Sequence, residues 1–172
     1  MPYQQLREGN MHSDIAKHLN FFRTEVKNLY SEIKAWVSET NLRCEESTIT
    51  INEKNSGEYQ INRLTLLTKE ESTKIAEIEP IGAWVIGANG RIDIKGIHDR
   101  IIIVHLNEGE PSINSTIIHA ISHSETHKRP FFKGIDEDGW YWIEHKLSSK
   151  GHKLTAELFF DILSDISDYE CQ

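Results

Sequence analysis

Between Ser13 and Glu39, the residues Ile15, Leu19, Phe22, Val26, Leu29, Ile33 and Trp36 recur at alternating steps of four and three. That spacing places all seven on one face of a helix. Ser13 suits the N-cap, and Asp14 suits the first turn, where the positive end of the helix dipole favours an anion. At 1.5 Å per residue such a helix is roughly 40 Å long, about the width of a compact domain of this size. A narrow stripe could form a coiled-coil seam and a homodimer through the 13–39 helix. Tyr30 and Val37 widen the apolar face, however, which suits packing on a sheet better.

Downstream the period changes to two. Thr48-Ile49-Thr50-Ile51 alternates as a half-buried strand does, Asn55-Ser56-Gly57 supplies a turn, and 58–68 returns. Tyr59 and Ile61 share one face while Leu64 and Leu66 share the other, so a bulge is expected near Asn62-Arg63. Thr68-Lys69-Glu70-Glu71 has the capping-box pattern and predicts a short helix to Ala76. Asn89-Gly90 predicts a tight hairpin joining a strand over 81–88 to Arg91–Lys95, where Asp93 and Lys95 lie on the polar face. Residues 100–106 are nearly all apolar and read as a central strand covered on both faces. The stretch 113–129 is ambiguous. Trp140-Tyr141-Trp142-Ile143 reads as an aromatic strand, and Thr155 caps a last helix carrying Leu158, Phe159, Ile162, Leu163 and Ile166.

The order helix, strands, helix predicts an α+β fold. An antiparallel meander of about six strands carries a long N-terminal and a C-terminal helix on one face. Residues 1–12 are polar and are expected to be loose; 13–172 form a single domain of ordinary size. The first residues lack the apolar stretch of a signal peptide, and no apolar run is long enough to span a bilayer. Cys44 and Cys171 have no ligand or disulfide spacing and read as free thiols of a cytoplasmic protein. The net charge of −8 disfavours general binding to nucleic-acid backbone, leaves room for a small local basic site, and suits a basic protein partner.

Four patterns bear on chemistry. His119, His123 and His127 are spaced i, i+4, i+8, and on a helix His119 and His123 could ligate zinc. The outer two would lie roughly 12 Å apart along the axis, too far to share an ion, so no metal is expected. Asp93 on one strand with Glu144-His145-Lys146 on another resembles the metal-binding core of restriction-type nucleases. That resemblance implies Mg²⁺ held by Asp93 and Glu144 with Lys146 orienting a water. In that family the Glu-x-Lys strand follows the Asp strand closely, whereas here the 100–106 strand intervenes. Arg7–His12 and Arg100–His105 have a spacing similar to that of a class of helical ribonucleases, but the second pair falls on a strand, where residues five apart face opposite sides. Finally, Asp161, Asp165 and Asp168 share a face of the last helix at its C-terminal end, against the helix dipole.

No nucleophile elbow, phosphate-binding glycine loop or dinucleotide fingerprint is present, and no cofactor is expected. The reading that results is a non-enzymatic accessory or interaction protein of bacterial type, an immunity or antitoxin-like inhibitor or a small subunit of an assembly. A basic partner would meet Asp161, Asp165 and Asp168, or Trp140 and Trp142. The alternative is a metal-dependent nuclease or hydrolase using Asp93, Glu144 and Lys146.

Overall fold

The computed structural model describes the backbone of residues 3–118, 124–144 and 149–170, and side chains of 13–112, 130–144 and 149–170. It is an α+β fold. The N-terminal helix α1 (Tyr3–Val37) is followed by β1 (Leu42–Glu53), β2 (Gly57–Thr68), β3 (Lys74–Gly82), β4 (Arg91–Lys95) and β5 (Arg100–Leu106). Next come β6 (Ser112–Ile118), β7 (Ser124–Pro130), β8 (Gly139–Ile143), β9 (Gly151–Lys153) and the C-terminal helix α2 (Ala156–Ile166). The main sheet is antiparallel throughout, in the order β1-β2-β3-β4-β5-β8-β9; β6 and β7 pair with each other as a separate hairpin inserted between β5 and β8. No helix among the described residues is long and apolar enough to cross a membrane.

The apolar stripe of α1 packs on the sheet. Phe22, Val26, Leu29, Tyr30, Ile33 and Val37 are all buried, with Leu19 and Trp36 beside them. They meet Leu64, Leu66, Ile78, Ile92, Ile94, Ile103 and Trp140 from the sheet and Phe159, Ile162, Leu163 and Ile166 from α2. Both helices therefore cover the same face. Tyr30 fixes the contact by donating its hydroxyl to the Asn62 and Ile78 carbonyls, and burial pushes that phenol well above its ordinary pKa. Thr155 caps α2 as expected, accepting from the Leu158 N–H.

Several local expectations are corrected. The helix begins at Tyr3, so Ser13 lies inside it and is not its cap. The β1–β2 register runs unbroken from Leu42↔Thr68 to Glu53↔Gly57, so no bulge occurs at Asn62-Arg63. The change of buried face along β2 falls where β3 pairing begins, at Leu64; beyond it the hairpin is a two-stranded ribbon, which twists more strongly than a wide sheet. The short helix expected after Thr68 is instead a turn. Thr68 accepts from the Thr73 N–H, Ser72 sits at φ 56°, and β3 begins at Lys74. The strict alternation of 75–82, buried at every second residue, outweighs the capping signal.

Asn89-Gly90 is likewise not the hairpin tip. The tight turn is Val85-Ile86-Gly87-Ala88, closed by Ala88 N–H to Val85 O, with Gly87 at φ 76°. Asn89 and Gly90 extend the pairing with β5 through bonds to both backbone groups of His105. Glycine is needed at 90 because the Phe22 ring lies against it: an added Cβ would fall 2.3 Å from Phe22 Cδ2. Packing of α1, not turn chemistry, sets that residue.

Candidate functional site

Alternation along the paired strands defines the face away from the helices. Asp93 opposes Ile102, Val104 opposes Tyr141, and these residues share that face with Arg91, Lys95, Leu106 and Ile143. It has two halves. The half over β3 and β4 is ionic, with Lys95 bonded to Glu79 and Arg63 near Glu77. The half over β5 and β8 is apolar. There Leu106, Tyr141 and Ile135 form a small second core, with Ala88, Val104, Phe132 and Ile143 packed on it. Strand β5 is thus central, as expected, but its outer face is only partly covered, and Ile102 remains exposed.

Loops build a concavity on that apolar half. The 85–88 turn brings Ile86 to one side, and the segment after Pro130 brings Phe132 to the other. The floor is Ile102, Val104, Leu106 and Ile143, and the cavity measures about 230 Å³. Ile86 is fully exposed and Phe131 is 54% exposed. A cavity of about 150 Å³ lined by aliphatic groups already admits a benzene ring. The arrangement can take one or two apolar side chains; Glu144 and Ser149 complete its lining, with Glu144 3.6 Å from His152. Sequence reasoning missed it because its walls come from two loops some forty-five positions apart in the chain, roughly residues 86 to 132. The one visible signal was an isoleucine beside glycine and a Phe-Phe pair directly after proline, large apolar residues in turn contexts.

The residues singled out from the sequence are dispersed. Asp93 is 1% exposed and is engaged by Arg91, whose Nε and Nη2 donate at 2.7 and 3.0 Å; Arg100 lies 3.7 Å away. This bidentate pairing raises the Arg91 pKa, and it occupies both carboxylate oxygens. Asp93 is on β4 and Glu144 follows β8, with β5 between them, so their backbones are roughly 10 Å apart. Glu144 lies 3.6 Å from His152. Lys146 lies outside the described residues, as do His119 and His123. His127 falls on β7, so the chain at that end of the histidine row is strand, not helix. Among the described residues no group of three His, Cys, Asp or Glu side chains is placed to hold a metal.

Trp140 is 6% exposed and donates Nε1–H to the Glu25 carbonyl, which makes it part of the core and removes it from any exposed docking surface. Trp142 is half-buried against His152. Asp161 and Asp165 are exposed on α2, but Asp168 lies past the helix end at Ile166 and contacts His98 Nε2 at 2.8 Å. The three carboxylates are therefore not one helical face. Arg100 and His105 do face opposite sides of β5, Arg100 toward Asp93 and His105 toward α1, where it meets Glu25 and the Phe21 and Trp140 rings. The chain matches no protein-family model, no curated protein and no solved structure.

Proposed function

We propose that this protein acts by docking, as an accessory or inhibitor-like interaction protein whose partner inserts apolar side chains into the concavity between Ile86 and Phe132. The observation that carries the reading is the exposed apolar surface on the open face of the sheet, with Ile86 fully exposed beside a cavity of about 230 Å³. Contiguous apolar surface rimmed by polar residues marks an interaction site more often than a solvated face. Burial of such a patch supplies affinity, whereas exposed carboxylates mainly supply rate and orientation. The apolar face therefore ranks ahead of Asp161 and Asp165, which lie on α2 in the helical layer.

The test is site-specific photo-crosslinking in the native host. A crosslinking residue at position 86 should trap one discrete protein partner, and the same residue at Thr50, exposed on β1, should not. Equal yields from both positions, or a partner trapped only from Asp161, would defeat the reading.

A further inference from the structure

We propose that the groove between α1 and the β1–β2 hairpin is a binding site for a small phosphate ester. This inference is independent of the docking surface, which lies on the other side of the sheet. The groove encloses about 310 Å³, the lower end of the range for small-ligand pockets. Arg23, Lys27 and Lys34 line it from α1, and Glu46 lines it from β1. Three cations and one carboxylate leave a formal charge of +2 in a concave site, on a chain whose net charge is −8. The local field therefore runs against that of the molecule, and a groove with low-dielectric walls concentrates it.

The cations are incompletely satisfied. Lys27 forms no close ion pair among the described residues, although its charge acts on Glu46 across the groove. Among the described residues Arg23 donates to the Gln60 carbonyl alone, at 3.3 Å, and its guanidinium carbon lies 5.4 Å from the centre of the Tyr59 ring. Lys34 is bonded to Glu46, and Asn62 donates to the same carboxylate at 2.6 Å. Those two bonds, Lys34 first, hold the Glu46 carboxyl below the usual carboxylate range. Glu46 thus stands where an arriving anion would compete for Lys34.

A phosphate monoester carries about −1.5 to −2 charges at neutral pH, which matches the groove. A monocarboxylate would leave one cation uncompensated. Arginine supplies a planar fork for phosphate oxygens and lysine a point charge. Val26 and Ile61 supply an apolar wall for the body of the ester.

The experiment is an amide NMR titration of the full chain with phenyl phosphate, inorganic phosphate and benzoate at constant ionic strength. Phenyl phosphate should saturate, with shifts centred on residues 23–34 and 60–62. Inorganic phosphate should bind several-fold more weakly, and benzoate more weakly than phenyl phosphate. Lys27→Gln should weaken phenyl phosphate by about tenfold, the usual scale for losing one charge-assisted bond. Glu46→Gln should tighten it, because Lys34 is released; a purely structural Lys34–Glu46 pair predicts no such gain. Lys17→Gln, on an exposed stretch of the same helix, should match the wild type. The proposal fails if no ligand saturates, if benzoate equals phenyl phosphate, if Glu46→Gln weakens binding, or if Lys17→Gln costs as much as Lys27→Gln. Unchanged melting of each variant checks that the fold is intact.

Discussion

His105 is the residue whose chemistry and burial are most at odds. It is 2% exposed and packs nearly perpendicular to the Phe21 and Trp140 rings. Its Nε2 lies 3.3 Å from Glu25, and its Nδ1 is buried with no hydrogen-bond partner among the described residues. A neutral ring with its proton on Nε2 fits this site, because Nδ1 then carries only a lone pair. Protonation would add an N–H with nothing to receive it. Burial accordingly lowers the pKa below 6.5, against the opposing attraction of Glu25 on α1 and Asp138 in the loop before β8. In the unfolded chain the ring titrates at its ordinary value, so below pH 6.5 the unfolded state binds more protons than the folded one. Stability should be complete above that value and fall as the pH drops toward the folded pKa. Denaturant unfolding at a series of pH values from 7 to 5 should show this loss. His105→Gln should flatten the dependence, and Glu25→Gln should steepen it by removing the main favourable charge. A wild-type profile that His105→Gln leaves unchanged would show that the ring does not govern it.

Among the elements, the end of α2 is held by the turn between β4 and β5 through backbone contacts. The Ile166 carbonyl, one of the groups a helix terminus leaves unpaired, accepts from the His98 N–H at 2.9 Å. That approach is close because residue 96 is glycine: a Cβ there would lie 2.0 Å from Ile166 O. Gly96→Ala must therefore push the helix end away from the β4–β5 turn, and should cost about 2–3 kcal/mol in chemical denaturation, as overpacking of a buried contact does. His98→Gln removes the exposed contact with Asp168 and should change stability little. Equal small effects would mean that the helix end is not seated on the turn. The same contrast separates what was legible in the sequence from what was not. The α1 stripe could be read because seven apolar residues repeat one period, and the wide face marked by Tyr30 and Val37 did pack on the sheet. The α+β class followed from that helix and the alternating strands. The turns could not be read as well. Asn89-Gly90 has strong local hairpin chemistry, yet Phe22 of α1 and His105 of β5 determine its conformation. The candidate site was the least legible, because Ile86 and Phe132 meet only through topology. Asp93 was read as a polar-face residue and a metal ligand, whereas Arg91, two residues away on the same face of the strand, holds it in a buried ion pair.

The molecule as a whole has two layers, and its candidate contact surfaces fall on opposite sides. The helices cover one face of the sheet; Asp161 and Asp165 project from α2 on that side, while Ile86 and Ile102 are exposed on the other. One small partner cannot use both fully. A net charge of −8 draws a basic partner from beyond contact range wherever it docks, so slower capture at high salt would not distinguish the surfaces. Local variants do. Ile86→Asp places a charge where an apolar side chain should seat, and it should raise the dissociation rate at every salt concentration, by roughly tenfold for about 1.4 kcal/mol of lost binding. Asp161→Asn with Asp165→Asn should leave dissociation unchanged and slow association only modestly at low salt, through the reduced net charge. Association and dissociation kinetics with the crosslinked partner, measured for both variants across a salt series, give opposite patterns for the two surfaces. If the Asp161/Asp165 variant dissociates faster and Ile86→Asp does not, the partner sits on α2 and the apolar concavity is not its docking site.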